Sequence, residues 1–221
     1  GSEEAAYLRE RGIPFVIVPG VTAGVGATAF AGIPVTRRGT ASAVAFVTGH
    51  QSPDVPESPN SSSRLDWSAL ARFPGTLVFY MGVTHLPVIA RTLIQEGKPS
   101  HTPAAVVASG STPAQKVVAA DLGTIAERTR AAGIHPPALF VVGEVVAQRE
   151  ALAWFESLPL FGYRIVVTRP RDGALRSAAA LEAMGAEALI APTVEIRPID
   201  DFGPLDAALD QLDVYDWLVF T

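Results

Sequence analysis

Apolar and polar positions along the chain form blocks that predict buried strands followed by amphipathic helices. Short apolar runs between turn residues predict strands, and longer periodic segments that end at glycine predict helices. The predicted strands are 15–18, 43–47, 76–81, 103–108, 116–120 and 138–142. The predicted helices are 3–11, 22–31, 86–96, 124–132 and 145–154. The Ser- and Pro-rich stretch 52–64 predicts a mobile loop.

The pattern starts again after residues 158–162, which suggests a second unit. Strands at 163–168, 188–191 and 217–220 alternate with helices at 173–184 and 205–212, and this βαβαβ order predicts a parallel sheet. Charge changes at the same place. Residues 1–157 hold 12 Lys+Arg and 12 Asp+Glu, whereas residues 158–221 hold 5 and 10. We therefore predict two domains, 1–157 and 158–221, and because the chain stops inside a strand we expect the second to be truncated.

Composition excludes several classes of function. Apolar residues make up 48% of the chain and charged residues 18%, which fits a packed globular protein. There is no cysteine, so disulfides and thiolate metal sites are excluded, and His85, His101 and His135 have no metal-like spacing. The net charge of −5 gives no basic surface for nucleic acid.

Residues 13–36 carry no charge and raise the question of a membrane span. Pro14, Pro19 and Pro34 interrupt this stretch, and a bilayer helix cannot easily lose so many backbone donors. We interpret the stretch as a buried strand, a turn and a small-residue helix.

The glycine pattern that begins at Gly24 matches the G-x-G-x-x-A form of a dinucleotide-binding turn. That motif places its first glycine at the strand end and an acidic residue about 20 positions later. Here the predicted strand ends near Val18, and the first acidic residue after Gly24 is Asp54. We therefore reject a nicotinamide site and predict close packing of the helix against a sheet. The packing face would consist of Gly24, Gly26, Ala27 and Ala29.

The turn before that helix, 19–23, is a better candidate for ligand binding. It leads from a predicted strand into a helix start, where backbone N–H groups and the Thr22 hydroxyl would be available to a polar ligand.

Several segments resemble the tetrapyrrole methylase family, and in particular uroporphyrinogen-III C-methyltransferases. They are "GIPFVIVPGVTAGVGATAFAGIPVTRRGTASAVAFVTGH", "GTLVFYMGV", "TPAAVVASGSTPAQKVVAADLGTIA" and "PPALFVVGEVVAQREALAWF", which together cover about residues 1–157. The tail, "PLFGYRIVVTRPRDGALRSAAALEAMGAEALIAPTVEIRP" followed by "YDWLVFT", resembles the start of uroporphyrinogen-III synthase. The resemblance implies an α/β fold: the C-terminal αβα domain of a methylase, followed by the first βαβαβ portion of an incomplete synthase domain. The methylase family's N-terminal domain and its Gly-Gly-Asp-Pro motif have no counterpart here.

The implied activity is C-methylation of uroporphyrinogen III to precorrin-2, with S-adenosylmethionine as methyl donor, on the path to siroheme or cobalamin. The fused synthase would cyclise hydroxymethylbilane. The resemblance also implies a cytoplasmic homodimer, and we expect the 221-residue piece alone to be inactive. Two alternatives stay open: a methylase of the same superfamily that acts on a later corrin precursor or on RNA, and an incomplete folding unit without a working site.

By match to the family, Thr22, Ala23, Met81, Gly110 and Ala138 would contact the methyl donor. A methionine at a strand end fits a ligand pocket in an open α/β sheet, and an ordinary core methionine is the alternative interpretation of Met81. Gly110 would let the backbone approach the donor, or would serve only a turn.

The tetrapyrrole substrate carries carboxylates, which a guanidinium group binds with two parallel hydrogen bonds. Arg37 and Arg38 directly follow the cofactor segment and are the predicted substrate ligands, with a solvated turn as the alternative. His50 ends a predicted strand and is a candidate to bind a carboxylate or assist deprotonation, or is a structural histidine. In the second unit, Thr168 and Arg169 are candidates to touch an anionic linear tetrapyrrole, or form a structural turn at the end of the first strand of that unit.

Overall fold

The computed structural model of the chain describes residues 1–49, 65–197 and 200–219, and within them most predicted elements are confirmed. The strands are β1 Val44–Thr48, β2 Thr76–Tyr80, β3 Pro103–Ala108, β4 Lys116–Asp121, β5 Ala138–Val142, β6 Arg164–Val167 and β7 Glu187–Ile190. The α-helices are α1 Ser2–Glu10, α2 Ala23–Phe30, α3 Trp67–Arg72, α4 Leu86–Gln95, α5 Ile125–Ala131, α6 Arg149–Leu152, α7 Arg171–Ala183 and α8 Gly203–Leu209. Single 3₁₀ turns lie at Glu144–Gln148, Phe155–Ser157 and Leu212–Val214.

The first five strands form one mixed sheet in the order β1-β2-β5-β3-β4. The β1–β2 pair is parallel, and β5 runs antiparallel to both of its neighbours, β2 and β3. Ala108 at the end of β3 therefore lies opposite Ala138 at the start of β5. This topology brings the carboxyl ends of β2 and β3 together with the amino end of β5 at one edge of the sheet.

Helices cover both faces of this sheet, which confirms the predicted αβα arrangement. On one face Phe79 and Phe140 stack with ring centroids 5.5 Å apart, in a core that includes residues of α3, α4 and α5. On the other face Val78 and Val141 pack with residues of α2 and of the Glu144–Gln148 turn. Because both faces are buried, the central strands are continuous apolar runs.

Helix α2 approaches the sheet closely because small residues face it. A Cβ atom built on Gly24 would lie 2.3 Å from the Tyr80 hydroxyl, and one on Gly110 would lie 2.3 Å from Cβ of Ala27. The predicted packing role is thus confirmed for Gly24 and Ala27. It is wrong for Gly26, which is half-buried and meets only a Val21 side chain, and for Ala29, which is exposed, because the helix turns these positions away from the sheet.

Side chains from distant segments hydrogen-bond the last carbonyl groups of α2, which have no partner inside the helix. The pairs are Trp154 Nε1 to Ala29 O at 3.3 Å, Gln115 Nε2 to Phe30 O at 3.2 Å and Arg149 Nη1 to Ala31 O at 2.5 Å. Three parts of the chain therefore fix the carboxyl end of this helix.

The strand predicted at 15–18 is wrong. This segment has no regular structure, and Val16 and Val18 are 85% and 84% exposed. An apolar run forms a strand only when neighbouring backbone accepts its hydrogen bonds, and no strand in the described residues pairs with it.

Two other differences concern helices. The helix predicted at 145–154 is broken into a 3₁₀ turn at Glu144–Gln148 and the short α6. The short helix α3 was not predicted, although Asp66 caps it by accepting a hydrogen bond from Ala69 N at 2.8 Å. The predicted loop at 52–64 lies outside the described residues.

The C-terminal unit contains the predicted parallel pair, because β6 and β7 run parallel on either side of α7 in sequence. The third strand predicted at 217–220 is not formed at 217–219, and Phe220 lies outside the described residues. No helix in the described part of the chain has both the length and the apolarity needed to cross a bilayer.

Lys98 is a buried cation beside the main sheet. Its Nζ donates to the Phe73 carbonyl at 3.3 Å. Burial lowers the pKa of the Lys98 ammonium from its ordinary value, and the nearby Glu144 carboxylate opposes part of that shift.

We predict that Lys98 makes the protein more stable as pH rises toward the ordinary lysine pKa. The folded chain binds this proton less tightly than the unfolded chain, so between the lowered pKa and the ordinary one the unfolded state holds more protons, and stability increases with pH. Urea unfolding of the wild type and of Lys98→Met between neutral and alkaline pH should show a smaller rise in the variant. The exposed Lys116→Met is the control, and an equal pH dependence in wild type and Lys98→Met would contradict the prediction.

We predict that Gly24→Ala lowers the free energy of unfolding by about 1–3 kcal/mol, because the added methyl group overlaps the Tyr80 hydroxyl. The matched control is Gly26→Ala, two positions along the same helix, where the nearest side-chain atom lies 3.4 Å away. That change should leave stability unchanged or raise it by about 0.5–1 kcal/mol, since alanine favours helix. Urea denaturation measures both, and equal effects would show that α2 does not pack as described.

Candidate functional site

A cavity of about 690 Å³ lies at the edge of the main sheet where β2 and β3 end and β5 begins. Its volume is in the range of small-molecule sites. Its lining consists of neutral residues: Ala23, Ala27, Tyr80, Met81, Val83, Thr84, Val107, Ser109, Gly110, Pro136, Pro137, Ala138 and Leu139. Helix α2 thus contributes one part of the wall, and the strand ends contribute the rest.

Four residues predicted from sequence to contact a methyl donor meet in this lining: Ala23, Met81, Gly110 and Ala138. They come from α2, the end of β2, the loop after β3 and the start of β5. The antiparallel placement of β5 beside β2 and β3 is what brings residues so far apart in sequence together. Their contact with a ligand stays a prediction.

Thr22 lies at the amino end of α2, beside the cavity rather than among its lining residues. Its hydroxyl is hydrogen-bonded to the hydroxyl of Tyr80, which itself lines the cavity. The Tyr80 hydroxyl also accepts a hydrogen bond from Gly24 N at 3.1 Å. Tyr80 therefore caps the amino end of α2. Thr22 is connected to the cavity only indirectly, by its hydrogen bond to this lining residue.

Non-glycine residues with left-handed backbone cluster at this site. Met81, Ser109 and Ser111 have φ of 55°, 49° and 64°, and the first two line the cavity. Such conformations cost about 1–3 kcal/mol each and persist where surrounding structure imposes them, commonly at ligand sites. Met81 is 63% exposed, so it is not the core methionine that the alternative interpretation required.

Gly110 has a packing reason to be glycine, because Ala27 occupies the space of its missing side chain. The same absence of a side chain leaves its backbone open to the cavity that it lines. The two roles predicted for Gly110, a structural turn and a close approach of backbone, are thus compatible.

The predicted substrate ligands are not gathered at this cavity. Arg37 and Arg38 lie in an exposed turn closed by a hydrogen bond from Arg37 N to Ala41 O at 2.9 Å, and neither is a lining residue. His50 lies outside the described residues. No group of three or more His, Asp and Glu that could hold a metal occurs within 1–49, 65–197 and 200–219.

A second, polar cavity of about 710 Å³ lies in the C-terminal unit, around the start of α7. Arg169, a sequence candidate, lines it together with Arg171 and Arg176. The Nη1 of Arg169 donates a hydrogen bond to Ser177 Oγ at 3.0 Å. The carbonyl of Thr168 accepts a hydrogen bond from the Thr193 hydroxyl.

Sequence reasoning missed two residues that shape the first cavity. Tyr80 is a polar residue at the carboxyl end of β2, directly after three apolar residues, and the sequence pattern could have indicated its role at the strand end. Gln115 lies 4% exposed just before β4 and hydrogen-bonds both α2 and the loop after β3. Its long-range partners could not be recognised from local sequence.

Comparison with known proteins agrees with this fold. A model of the family "Tetrapyrrole (Corrin/Porphyrin) Methylases" matches residues 1–126, and one described as "Uroporphyrinogen-III synthase HemD" matches residues 176–221. A siroheme synthase of Stutzerimonas stutzeri is 48% identical over 162 residues, which are 73% of this chain and 33% of that protein. The porphyrin biosynthesis protein HemD of Ruminiclostridium josui is 34% identical over all 221 residues, which correspond to 43% of its length. The chain thus spans about a third to under a half of these relatives.

Solved structures of similar fold are also found. Uroporphyrin-III C-methyl transferase from Thermus thermophilus, in complex with S-adenyl homocysteine, aligns with a TM-score of 0.53 and 36% identity over 66% of this chain and 60% of that one. A cobalt precorrin-4 methyltransferase aligns with a TM-score of 0.57 and 24% identity over 66% of this chain and 58% of that one, a likeness of fold. With more than half of its length matched by the family model, the chain belongs to the tetrapyrrole (corrin/porphyrin) methylase family.

Proposed function

We propose that this chain forms part of an S-adenosylmethionine-dependent methyltransferase that methylates uroporphyrinogen III to precorrin-2. The observation that carries the proposal is the cavity at the strand ends, where Ala23, Met81, Gly110 and Ala138 converge. The Thermus relative, itself solved with S-adenyl homocysteine, supports the identity of the donor. The chain spans only part of its relatives, so the activity proposed is that of a protein of their length.

The residues present fit the methyl donor. A cavity of about 690 Å³ has room for one nucleoside-sized ligand, and its neutral lining suits the apolar faces of an adenine ring and a thioether. When bound, the donor supplies an electrophilic methyl group on a sulfonium, and a neutral thioether leaves.

The chain's own groups would act by binding and orientation. The small side chains of Ala23 and Ala27 leave room beside α2, and Met81 and Ser109, both with left-handed backbone, line the cavity with them. Holding the methyl group in line with the substrate carbon supplies much of the rate enhancement in such transfers. Arg37, Arg38 and His50 remain our candidates for binding the substrate carboxylates.

The match of residues 176–221 supports a fused uroporphyrinogen-III synthase that would supply the methylase with its substrate. We place the boundary between the two units at 157/158, after the Phe155–Ser157 turn. A homodimer and a cytoplasmic location remain predictions, as does the expected inactivity of the 221 residues alone.

The activity is tested on a protein of the relatives' length that carries this chain, incubated with S-adenosylmethionine and uroporphyrinogen III. The proposal expects a product heavier by two methyl groups, detected by mass spectrometry, and none from the 221 residues alone. Methylation only of a later corrin precursor or of RNA would favour the alternative acceptors. Hydride transfer, or binding of NAD in place of the sulfonium compound, would overturn the proposal.

We predict that Ala23→Leu in that protein weakens binding of S-adenosylhomocysteine by about tenfold or more, because the larger side chain fills part of the cavity. The matched control is Ala29→Leu, on the same helix and exposed like Ala23, but outside the lining. Isothermal titration calorimetry measures both dissociation constants. An unchanged affinity in Ala23→Leu would move the donor site away from this cavity.

A further inference from the structure

Gln115 is a buried amide whose polar atoms are all engaged. Its Oε1 accepts from Ser111 N at 3.0 Å, and its Nε2 donates to Phe30 O at 3.2 Å and to Glu156 Oε1 at 2.9 Å. Exchanging the amide oxygen and nitrogen would set a donor against a donor and acceptors against acceptors. The orientation of this side chain is therefore fixed by its partners.

Two of these partners belong to different walls of the cavity. Phe30 is the last residue of α2, the helix that carries Ala23 and Ala27. Ser111 follows Ser109 and Gly110, the lining residues of the loop after β3. Gln115 thus joins the helix wall to the loop wall without lining the cavity itself.

The spacing between those two walls has little tolerance. Only the absence of a side chain at Gly110 allows Ala27 to approach the loop, because a Cβ there would lie 2.3 Å from that of Ala27. Ser109 and Ser111 also hold left-handed conformations that a loop without support would leave. The hydrogen bond to Ser111 N lies at this strained position.

Glu156 anchors the arrangement. Its Oε2 pairs with Arg149 Nη2 at 2.5 Å, while its Oε1 receives the Gln115 amide. Arg149 in turn donates to Ala31 O at 2.5 Å, at the same end of α2. Because the Glu156 carboxylate is only about 20% exposed, the two hydrogen bonds that it accepts, from Gln115 and Arg149, are stronger than neutral ones at a surface.

We propose that Gln115 is a positioning residue for the methyl donor, which sets the distance between α2 and the Ser109–Ser111 loop and so the fit of the donor between them. The inference rests on the proposed function, since it takes the donor to occupy this cavity. It assigns no contact between Gln115 and either substrate.

The test uses Gln115→Met, which keeps the length of the side chain and removes its hydrogen bonds, in a protein of the relatives' length. We expect the dissociation constant for S-adenosylhomocysteine and the KM for S-adenosylmethionine to rise about tenfold, with the KM for the tetrapyrrole unchanged. The control, Ile125→Val, loosens the core beneath α5, away from this network, and should change stability without changing either KM.

A second pair of variants distinguishes a loss of donor affinity caused by the hydrogen bonds of Gln115 from one caused by misfolding. Gln115→Glu places a carboxylate against Glu156 and should bind the donor analogue more weakly than Gln115→Met does. Adding Glu156→Gln restores a donor–acceptor pair between the two positions and should recover part of the affinity.

The outcomes separate the two proposals. If the wild type binds no S-adenosylhomocysteine and transfers no methyl group, the proposed function itself fails. If the wild type binds and Gln115→Met loses stability yet binds equally well, Gln115 is only structural and the inference is overturned. Selective loss of donor affinity, with recovery in the double variant, supports it.

Discussion

The close approach of α2 to the edge of the main sheet is the constraint on which the cavity depends. At Gly24 the helix lies against the Tyr80 hydroxyl, and at Ala27 it lies against Gly110. Any side chain at either glycine would push the helix outward and move one wall of the cavity. The space for a ligand is therefore set by two residues that contribute no side chain.

Apolar packing against the sheet is joined by polar interactions at both ends of the helix. Tyr80 caps the amino end, and side chains from 115, 149 and 154 bond the carbonyl groups at the other end. Fixing both ends also explains how left-handed backbone persists at Met81 and Ser109, because the elements around them cannot relax.

The sequence predicted those parts of the fold that are determined by local pattern. The strands of the main sheet and the helices that end at Gly97 and Gly133 lie within a few residues of their predicted bounds, because apolar runs and left-handed glycines act locally. The strand at 15–18 was predicted wrongly because strand formation also needs a partner, which a single apolar run does not reveal. At the site, Met81 and Gly110 were found through family motifs, whereas Gln115 was not, since its partners lie up to 85 residues away.

The glycine pattern of α2 illustrates why a motif needs its structural context. In a dinucleotide-binding turn, glycine lets a pyrophosphate reach the backbone N–H groups at the start of the helix. Here Gly24 N is already bonded to the Tyr80 hydroxyl, and the N–H groups of Val25 and Gly26 bond to Thr22 O. Three N–H groups at the start of this helix are thus already bonded to protein atoms, which leaves little there for a diphosphate. In this chain the glycine spacing allows a tyrosine, rather than a phosphate, to approach the start of the helix. The space for a ligand lies beside the helix, among neutral side chains and strand ends.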